Sequence, residues 1–202
     1  MIRTLRSALK FPVFYTFFGW LIGGHSSRTQ FVHQYVTPSL GSRILDIGCG
    51  PGTLVAYLPQ TKYTGFDISS AYIHSAKSKY GHLGKFYCQN VVDLKPEQVG
   101  RFDIVLVVGV IHHLNDLEAR TLFESAYALL KSGGKLVTFD GVFVEEQTAI
   151  ARYIIAQDRG QYVRTKEGYL SIASQVFSDI KVSIRHDLLR IPYTHLILEC
   201  FK

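Results

Sequence analysis

The stretch LDIGCGPGT, residues 45–53, constrains this chain more than any other. It closes a short aliphatic run, RILDI (43–47), and sets glycine at 48, 50 and 52 ahead of TLVAYL (53–58). A run of that length reads as a buried strand, and TLVAYL reads as the start of a helix. Glycines at alternate positions let the backbone turn tightly and approach a ligand that a Cβ would obstruct. A strict G-x-G-x-x-G fingerprint for dinucleotides would require glycine at 53, where the chain has Thr53. The strand also carries Asp46 just ahead of the loop. An anion there is badly placed against a pyrophosphate and suits a ligand with an ammonium group.

A second acid, Asp67, closes the next strand-like run, YTGFDI (63–68), about 20 residues past the first glycine. A carboxylate there can accept both hydroxyls of a ribose and leave an adenine against an apolar neighbour such as Ile68. The competing reading makes Asp67 an ordinary cap ahead of Ser69 and Ser70. After KFYCQ (85–89), the Asn90 amide can pair with an adenine edge beside the Val91 backbone; alternatively, Asn90 and Asp93 are turn residues.

Strands and helices alternate from Arg43 onward. SSAYIHSAKSKY (69–80) has capping serines and helical spacing, and FDIVLVVG (102–109) and KLVTFD (135–140) are further strands. LEARTLFESAYALLKSGG (117–134) is an amphipathic helix that Gly133 and Gly134 are expected to stop. Such alternation implies parallel pairing through right-handed crossovers. The tail, 179–202, holds two strand-like runs with no helix between them and predicts an antiparallel hairpin. The class is α/β, a Rossmann-like doubly wound sheet, mostly parallel, ending in that hairpin.

With 47% hydrophobic and 19% charged residues over 202 positions, the chain has a folding composition suited to one domain. The net charge of +6 fits an acidic small substrate, a membrane surface or RNA and selects none of them. Cys49, Cys88 and Cys200 form no CxxC, so a reducing, cytoplasmic location is the simpler expectation. The N-terminal arm pulls the other way, with Arg3, Arg6 and Lys10 ahead of an apolar stretch from Phe11 to Ile22 in a signal-peptide outline. That stretch is too short to span a bilayer, rich in aromatics and interrupted by Pro12. An aromatic lid over the site is the favoured reading, ahead of a membrane-touching arm and a cleaved signal. Tyr15, Trp20, Arg28, His33 and Tyr35 are the arm's side chains of interest.

GVIHHLND (109–116) places His112 and His113 where a strand ends. Metal binding is the poorest reading, because consecutive side chains diverge and no third ligand stands at helical spacing. Two readings stay open: imidazoles bonded to turn backbone, or a proton acceptor beside a substrate, for which histidine's pKa is suited. Beyond the fifth strand, residues 143–164 read as a cap helix with Ile150, Tyr153 and Ile154 on one face. It runs into a polar knot of Asp158, Arg159, Gln161 and Arg164, suited to a carboxylate or phosphate or, equally, to a salt bridge that holds the cap. In IPYTH (191–195), Tyr193 and His195 can reach the same end of the sheet.

Taken together, ILDIGCGPG, YTGFDIS, FDIVLVVGVIHHL and LLKSGGKLVTFD resemble class I S-adenosylmethionine (SAM)-dependent methyltransferases, closest to the small stand-alone quinone-biosynthesis type, over about residues 40 to 140. The resemblance implies a seven-stranded sheet with SAM at the C-terminal strand ends and S-adenosylhomocysteine as product. It implies Asp46, Gly48, Cys49, Gly50 and Gly52 around the methionine moiety, Asp67 on the ribose, Ile68, Asn90 and Val91 on the adenine, and Gly109 through its backbone. Relatives often carry Asp where this chain has Asn90. In similar enzymes an N-terminal basic residue meets the SAM carboxylate, and Arg28 is the candidate. His113 resembles the histidine that phosphobase methyltransferases carry before a leucine, which makes it the candidate general base, with His112 as the second choice facing the cofactor.

The expected organisation is one domain: arm 1–40, SAM-binding core 41–142, inserted cap 143–165, and last helix with hairpin 166–202. Tyr15, Tyr35, Tyr153, Asp158, Arg159, Arg164 and Tyr193 are the expected substrate contacts. The expected activity is methylation of a small molecule, acidic or lipidic, at oxygen, in secondary-metabolite or surface-glycan biosynthesis. C-methylation of a quinone-like or lipidic ring is the alternative, and a catalytically silent scaffold is the alternative from another class. Neither a metal nor a nucleic-acid partner is expected, and the state is monomer or homodimer.

Overall fold

A computed structural model describes residues 23–157 and 160–202. The expected contacts Tyr15, Asp158 and Arg159 lie outside the described residues. Helix α1 (Gly24–Phe31) continues as a wider π turn to Val36. There follow β1 (Arg43–Ile47), β2 (Lys62–Asp67), α2 (Ser70–Tyr80), β3 (Gly84–Cys88), α3 (Pro96–Val99) and β4 (Phe102–Val108). The chain continues through α4 (Asp116–Leu129), β5 (Leu130–Gly141), α5 (Ala149–Ala156), α6 (Lys166–Ala173), β6 (Asp179–Arg185) and β7 (His195–Phe201).

The seven strands form one sheet in the order β3-β2-β1-β4-β5-β7-β6. Strands β1 to β5 pair in parallel, and β7 runs antiparallel between β5 and β6. After β1 the chain builds outward through β2 and β3, then returns to add β4 on the other side of β1. That reversal opens a crevice at the C-terminal ends of β1 and β4, where open α/β sheets bind ligands. Alternate strand residues bury both faces, so the sheet is the middle of three layers. Leu45, Ile47, Val105 and Val107 pack with Leu122, Phe123 and Ala126 of α4 on one face. Ile44, Leu106 and Val137 pack with Phe31 of α1 and Ile73 and Ala76 of α2 on the other.

Two local expectations are corrected. Residues Thr53–Tyr57 make one short 3₁₀ turn, not the first turns of a helix. Pro59 disfavours helical backbone at Leu58, and Gln60 turns left-handed at φ 59°. The helix expected to stop at Gly133 and Gly134 ends at Leu129, and β5 begins at once. The glycines serve an irregularity in β5, with Gly133 at φ 74°, where Gly133 N–H and Gly134 O bond the backbone of Lys202. On α5, Ala151 and Ile155 face the core, whereas Ile150 and Tyr153 are 63% and 58% exposed. The face that carries Ile150 and Tyr153 is thus the outer one, set by the i, i+4 pair that packs.

Candidate functional site

The glycine loop leaves β1 at the crevice. Gly48, Gly50 and Gly52 all take left-handed backbone, with φ of 72°, 53° and 74°, which side-chain-bearing residues rarely adopt. Two of them are also packed: a Cβ at Gly48 would strike Val110, and one at Gly52 would strike Phe86. Among the described residues nothing lies within 4 Å of a Cβ at Gly50, so the open side of the loop is there. Cys49 faces the interior, donates its thiol to Gly50 O at 3.7 Å, and is pushed upward in pKa by burial. Its side chain therefore belongs to the core, not to a ligand surface.

Asp67 at the end of β2 ties the loop down. Its Oδ2 accepts from Gly50 N at 2.9 Å and its Oδ1 from Ser69 N at 2.8 Å. Each carboxylate oxygen can accept a further hydrogen bond. Ile68 beside it is 78% exposed, an unusual position for a large apolar side chain. Asn90 caps the turn Val91–Asp93 by accepting from Val92 N at 3.3 Å, and the Val91 side chain is buried. The Asn90 oxygen thus does the turn work that the competing reading gave it.

Asp46 is 2% exposed and accepts from the Tyr63 hydroxyl at 2.5 Å through Oδ2. Its Oδ1 is buried with no hydrogen-bond partner among the described residues. Burial pushes this carboxyl up to about 7, the Tyr63 hydrogen bond opposes the rise, and the nearby Asp67 charge adds to it. An acid with an unmet oxygen, open backbone at Gly50 and a ribose-type acid at Asp67 match the donor set of a ligand with an ammonium, hydroxyls and an adenine.

Beyond β4, Gly109 takes φ 70°, and among the described residues the neighbour on its Cβ side is His112 Cε1 at 3.8 Å. The two histidines part company in the short turn Ile111–His113. His113 is exposed and its N–H bonds Val110 O. His112 is 6% exposed, with Nδ1 at 2.7 Å from Asp140 Oδ1 and its backbone N–H at 3.2 Å from the same oxygen. Asp140 closes β5, 28 positions away in sequence. It was not anticipated, although an acid ending a strand beside the crevice was a signal already available in KLVTFD.

The cap segment folds over this turn. Tyr162 N–H bonds His112 O at 3.0 Å, and a Cβ at Gly160 would lie 2.0 Å from His112 Cδ2. Arg164 spends all five of its N–H groups on the fold. It bonds Asp116 Oδ1 twice, at 2.7 and 3.0 Å, and the carbonyls of Ile111, Leu114 and Tyr162. Its expected substrate contact is therefore corrected, since it holds the cap. Tyr35 is corrected likewise: it is 8% exposed, packed on Phe31, and its hydroxyl accepts from Arg185 at 3.0 Å. Tyr153 is on the outer face of α5, while the Tyr193 ring lies 4.7 Å from that of His195 at a 37° tilt, with its hydroxyl against Gly141. Arg28 stands half-buried on α1, a helix that meets the turn after the glycine loop where His25 bonds the Tyr57 hydroxyl at 2.8 Å.

No group of three or more metal-ligating side chains occurs among the described residues, and none of their helices is long and apolar enough to cross a membrane.

Residues 44–134 match the methyltransferase domain family. The ubiquinone biosynthesis O-methyltransferase of Xanthomonas axonopodis pv. citri (strain 306) is 34% identical over 116 residues, 54% of this chain and 46% of that protein. The chain thus spans about half the length of the curated relatives it matches. Among solved structures, a phosphoethanolamine N-methyltransferase of Haemonchus contortus aligns with a TM-score of 0.74 at 19% identity, over 98% of this chain and 59% of that one. The [4+2]-cyclase SpnF aligns at 0.67 and 15% identity, over 86% of this chain and 79% of that one. At such identities these structures speak for the fold alone. Over residues 44–134, which hold the glycine loop and the first four strands, the chain is thus similar to the methyltransferase domain family, and its strand order is shared with solved structures of that fold.

Proposed function

We propose that the chain transfers a methyl group from SAM to a hydroxyl of a small-molecule acceptor. The observation that carries the cofactor half is the end of β2, where Asp67 is held by Gly50 N and Ser69 N beside an Ile68 that is 78% exposed. In this reading Asp67 accepts the ribose hydroxyls and Ile68 supports the adenine. Asp46, Gly50 and Gly109 line the methionine end, with Arg28 as the partner for its carboxylate. When bound, SAM supplies an electrophilic methyl group on a sulfonium sulfur. The protein's part is then to align the acceptor, exclude water and take its proton. The cap held by Arg164 serves the second task, and the histidine turn beneath it the third.

Oxygen is the favoured acceptor atom because a hydroxyl must lose a proton and histidine is suited to accept it. The similarity to an O-methyltransferase of ubiquinone biosynthesis supports the same choice.

Calorimetric titration with SAM, S-adenosylhomocysteine and NAD tests the cofactor. Micromolar binding of the first two and none of NAD is expected. Asp67→Ala should weaken both by about 10- to 100-fold, as expected for hydrogen bonds to a charged group. Unchanged affinity in Asp67→Ala would remove that residue from the ribose role, and NAD binding would overturn the cofactor assignment.

A further inference from the structure

We infer that Arg185, at the end of β6, is a positioning residue for the cofactor: it sets the roll of α1 and thereby turns Arg28 to the carboxylate of SAM. This rests on the methyl-transfer reading above. It extends the cofactor site to the C-terminal hairpin, which lies outside the residues that match the family.

Each side of α1 and its π turn meets a different part of the fold. Ser27, Phe31 and Tyr35, spaced by four residues, are buried on the sheet. Phe31 meets the Phe139 ring edge-on at 5.1 Å, and Phe31 and Val32 share a cluster with Leu54 and Val55 of the turn after the glycine loop. At 3.6 residues per turn, His25 and Arg28 fall on one flank of that buried face, and Gln30 and Gln34 fall on the other. The first flank meets the turn after the glycine loop, where His25 Nδ1 lies 2.8 Å from the Tyr57 hydroxyl. The second flank meets Arg185.

All five N–H groups of the Arg185 guanidinium are engaged. Nε and Nη2 form a fork on Asp187, with both bonds at 2.7 Å. The other Nη2 hydrogen goes to Gln30 Oε1 at 2.9 Å. Nη1 donates to Gln34 Oε1 and to the Tyr35 hydroxyl, the latter at 3.0 Å. Gln30 is itself set by its Nε2, which donates to Ser26 Oγ at 3.2 Å. The fork on Asp187 aims the remaining donors in a plane, which a lysine cannot reproduce. These grips along one side fix the rotation of α1 as well as its place. The hairpin loop follows the same line: Leu188 is 2% exposed in the cluster with Phe31, and a Cβ at Gly23, just ahead of α1, would come 3.0 Å from Arg190 Cγ. Without Arg185, α1 keeps its buried face, but the flank that carries Arg28 loses its setting against the glycine-loop turn. Apparent cofactor affinity then falls with the fraction of molecules in which α1 is seated.

Calorimetric titration of the full chain with S-adenosylhomocysteine tests this. Arg185→Met should weaken binding by about 10-fold or more, and Arg185→Lys should not restore it. The double variant Gln30→Ala, Gln34→Ala should do the same from the other side, and it keeps the helix because alanine is the best helix former. It decides the matter alone where Arg185→Met fails to fold. Arg101→Met is the control, since Arg101 bonds the carbonyls of Ala128 and Leu130 where β5 begins, at the opposite end of the sheet. That variant should melt earlier and keep its affinity within about twofold. A merely structural Arg185 would behave as Arg101 does.

Arg28→Ala should weaken binding to a similar degree. Adding Arg185→Met to it should weaken binding by less than about threefold more, because both changes act on one contact. Unchanged affinity in Arg185→Met and in the double glutamine variant, or full additivity with Arg28→Ala, overturns the proposal and leaves the cofactor reading standing. No binding by the unaltered protein overturns both.

Discussion

Asp46 is held between two demands. Burial raises its carboxyl to about 7 from the usual 3.8, and Tyr63 satisfies one oxygen only. A folded pKa above the unfolded one means that the folded state keeps a proton the unfolded state releases. Stability contributed by this group is therefore greatest below about pH 4 and falls as pH rises toward about 7. The full window is worth on the order of 4 kcal/mol. Asp46→Asn should flatten that slope in urea unfolding followed from pH 5 to 7. A slope equal to that of the unaltered protein would place the proton elsewhere. The same residue makes binding pH-dependent in the opposite sense, because an ammonium beside Asp46 favours the carboxylate. Titration of S-adenosylhomocysteine at pH 6 in two buffers of different ionisation enthalpy should show most of a proton released, and Asp46→Asn should abolish the release.

At the scale of elements, the cap segment and the histidine turn are joined by Arg164. Its side chain is 10% exposed, whereas its partner Asp116 is 81% exposed. Replacing Arg164 with Met leaves Asp116 to water but takes a donor from each of the carbonyls of Ile111, Leu114 and Tyr162, of which Ile111 keeps the Leu114 N–H. A loss of about 1–3 kcal/mol is expected. At roughly 2–4 °C per kcal/mol for a chain of this size, the melting temperature should fall by about 2–12 °C. Amide exchange should quicken in 160–165 and 111–114; exchange unchanged there would mean that Arg164 does not hold the cap. This latch shows what one-dimensional reading reaches. RILDI, YTGFD and FDIVLVV announce strands because burial on both faces demands short runs dominated by aliphatic and aromatic residues. The glycine loop is legible because left-handed backbone demands glycine. Arg164–Asp116 spans 48 positions and His112–Asp140 spans 28, and nothing local marks either pairing. Which histidine is buried was undecidable for the same reason: the choice belongs to the end of β5, not to the turn. Gly133 and Gly134 misled because a glycine pair that stops a helix and one that breaks a strand look alike.

At the scale of the whole molecule, the candidate site has no element of its own. The loop after β1 is bonded to Phe66 O and Asp67 at the end of β2, Gly109 N–H is bonded to Phe139 O of β5, and His112 is bonded to Asp140. Four strands of one sheet thus converge on it, and β7 buries Leu196 and Leu198 beside β5 to hold the last of them. A ligand in this crevice binds only when β1, β2, β4 and β5 are in register, and the unfolded chain offers it nothing comparable. Binding must then stabilise the fold globally, by about 2.7 kcal/mol at a ligand concentration 100 times the dissociation constant. Converted at 2–4 °C per kcal/mol, S-adenosylhomocysteine should raise the melting temperature by roughly 5–11 °C. Asp67→Ala at the same concentration should lose about half of that shift if affinity falls 10-fold and about 85% if it falls 100-fold. NAD should give none. A shift of equal size with NAD would mean that the loop reads phosphate after all. A shift that survives in Asp67→Ala would mean that the ligand binds outside the crevice.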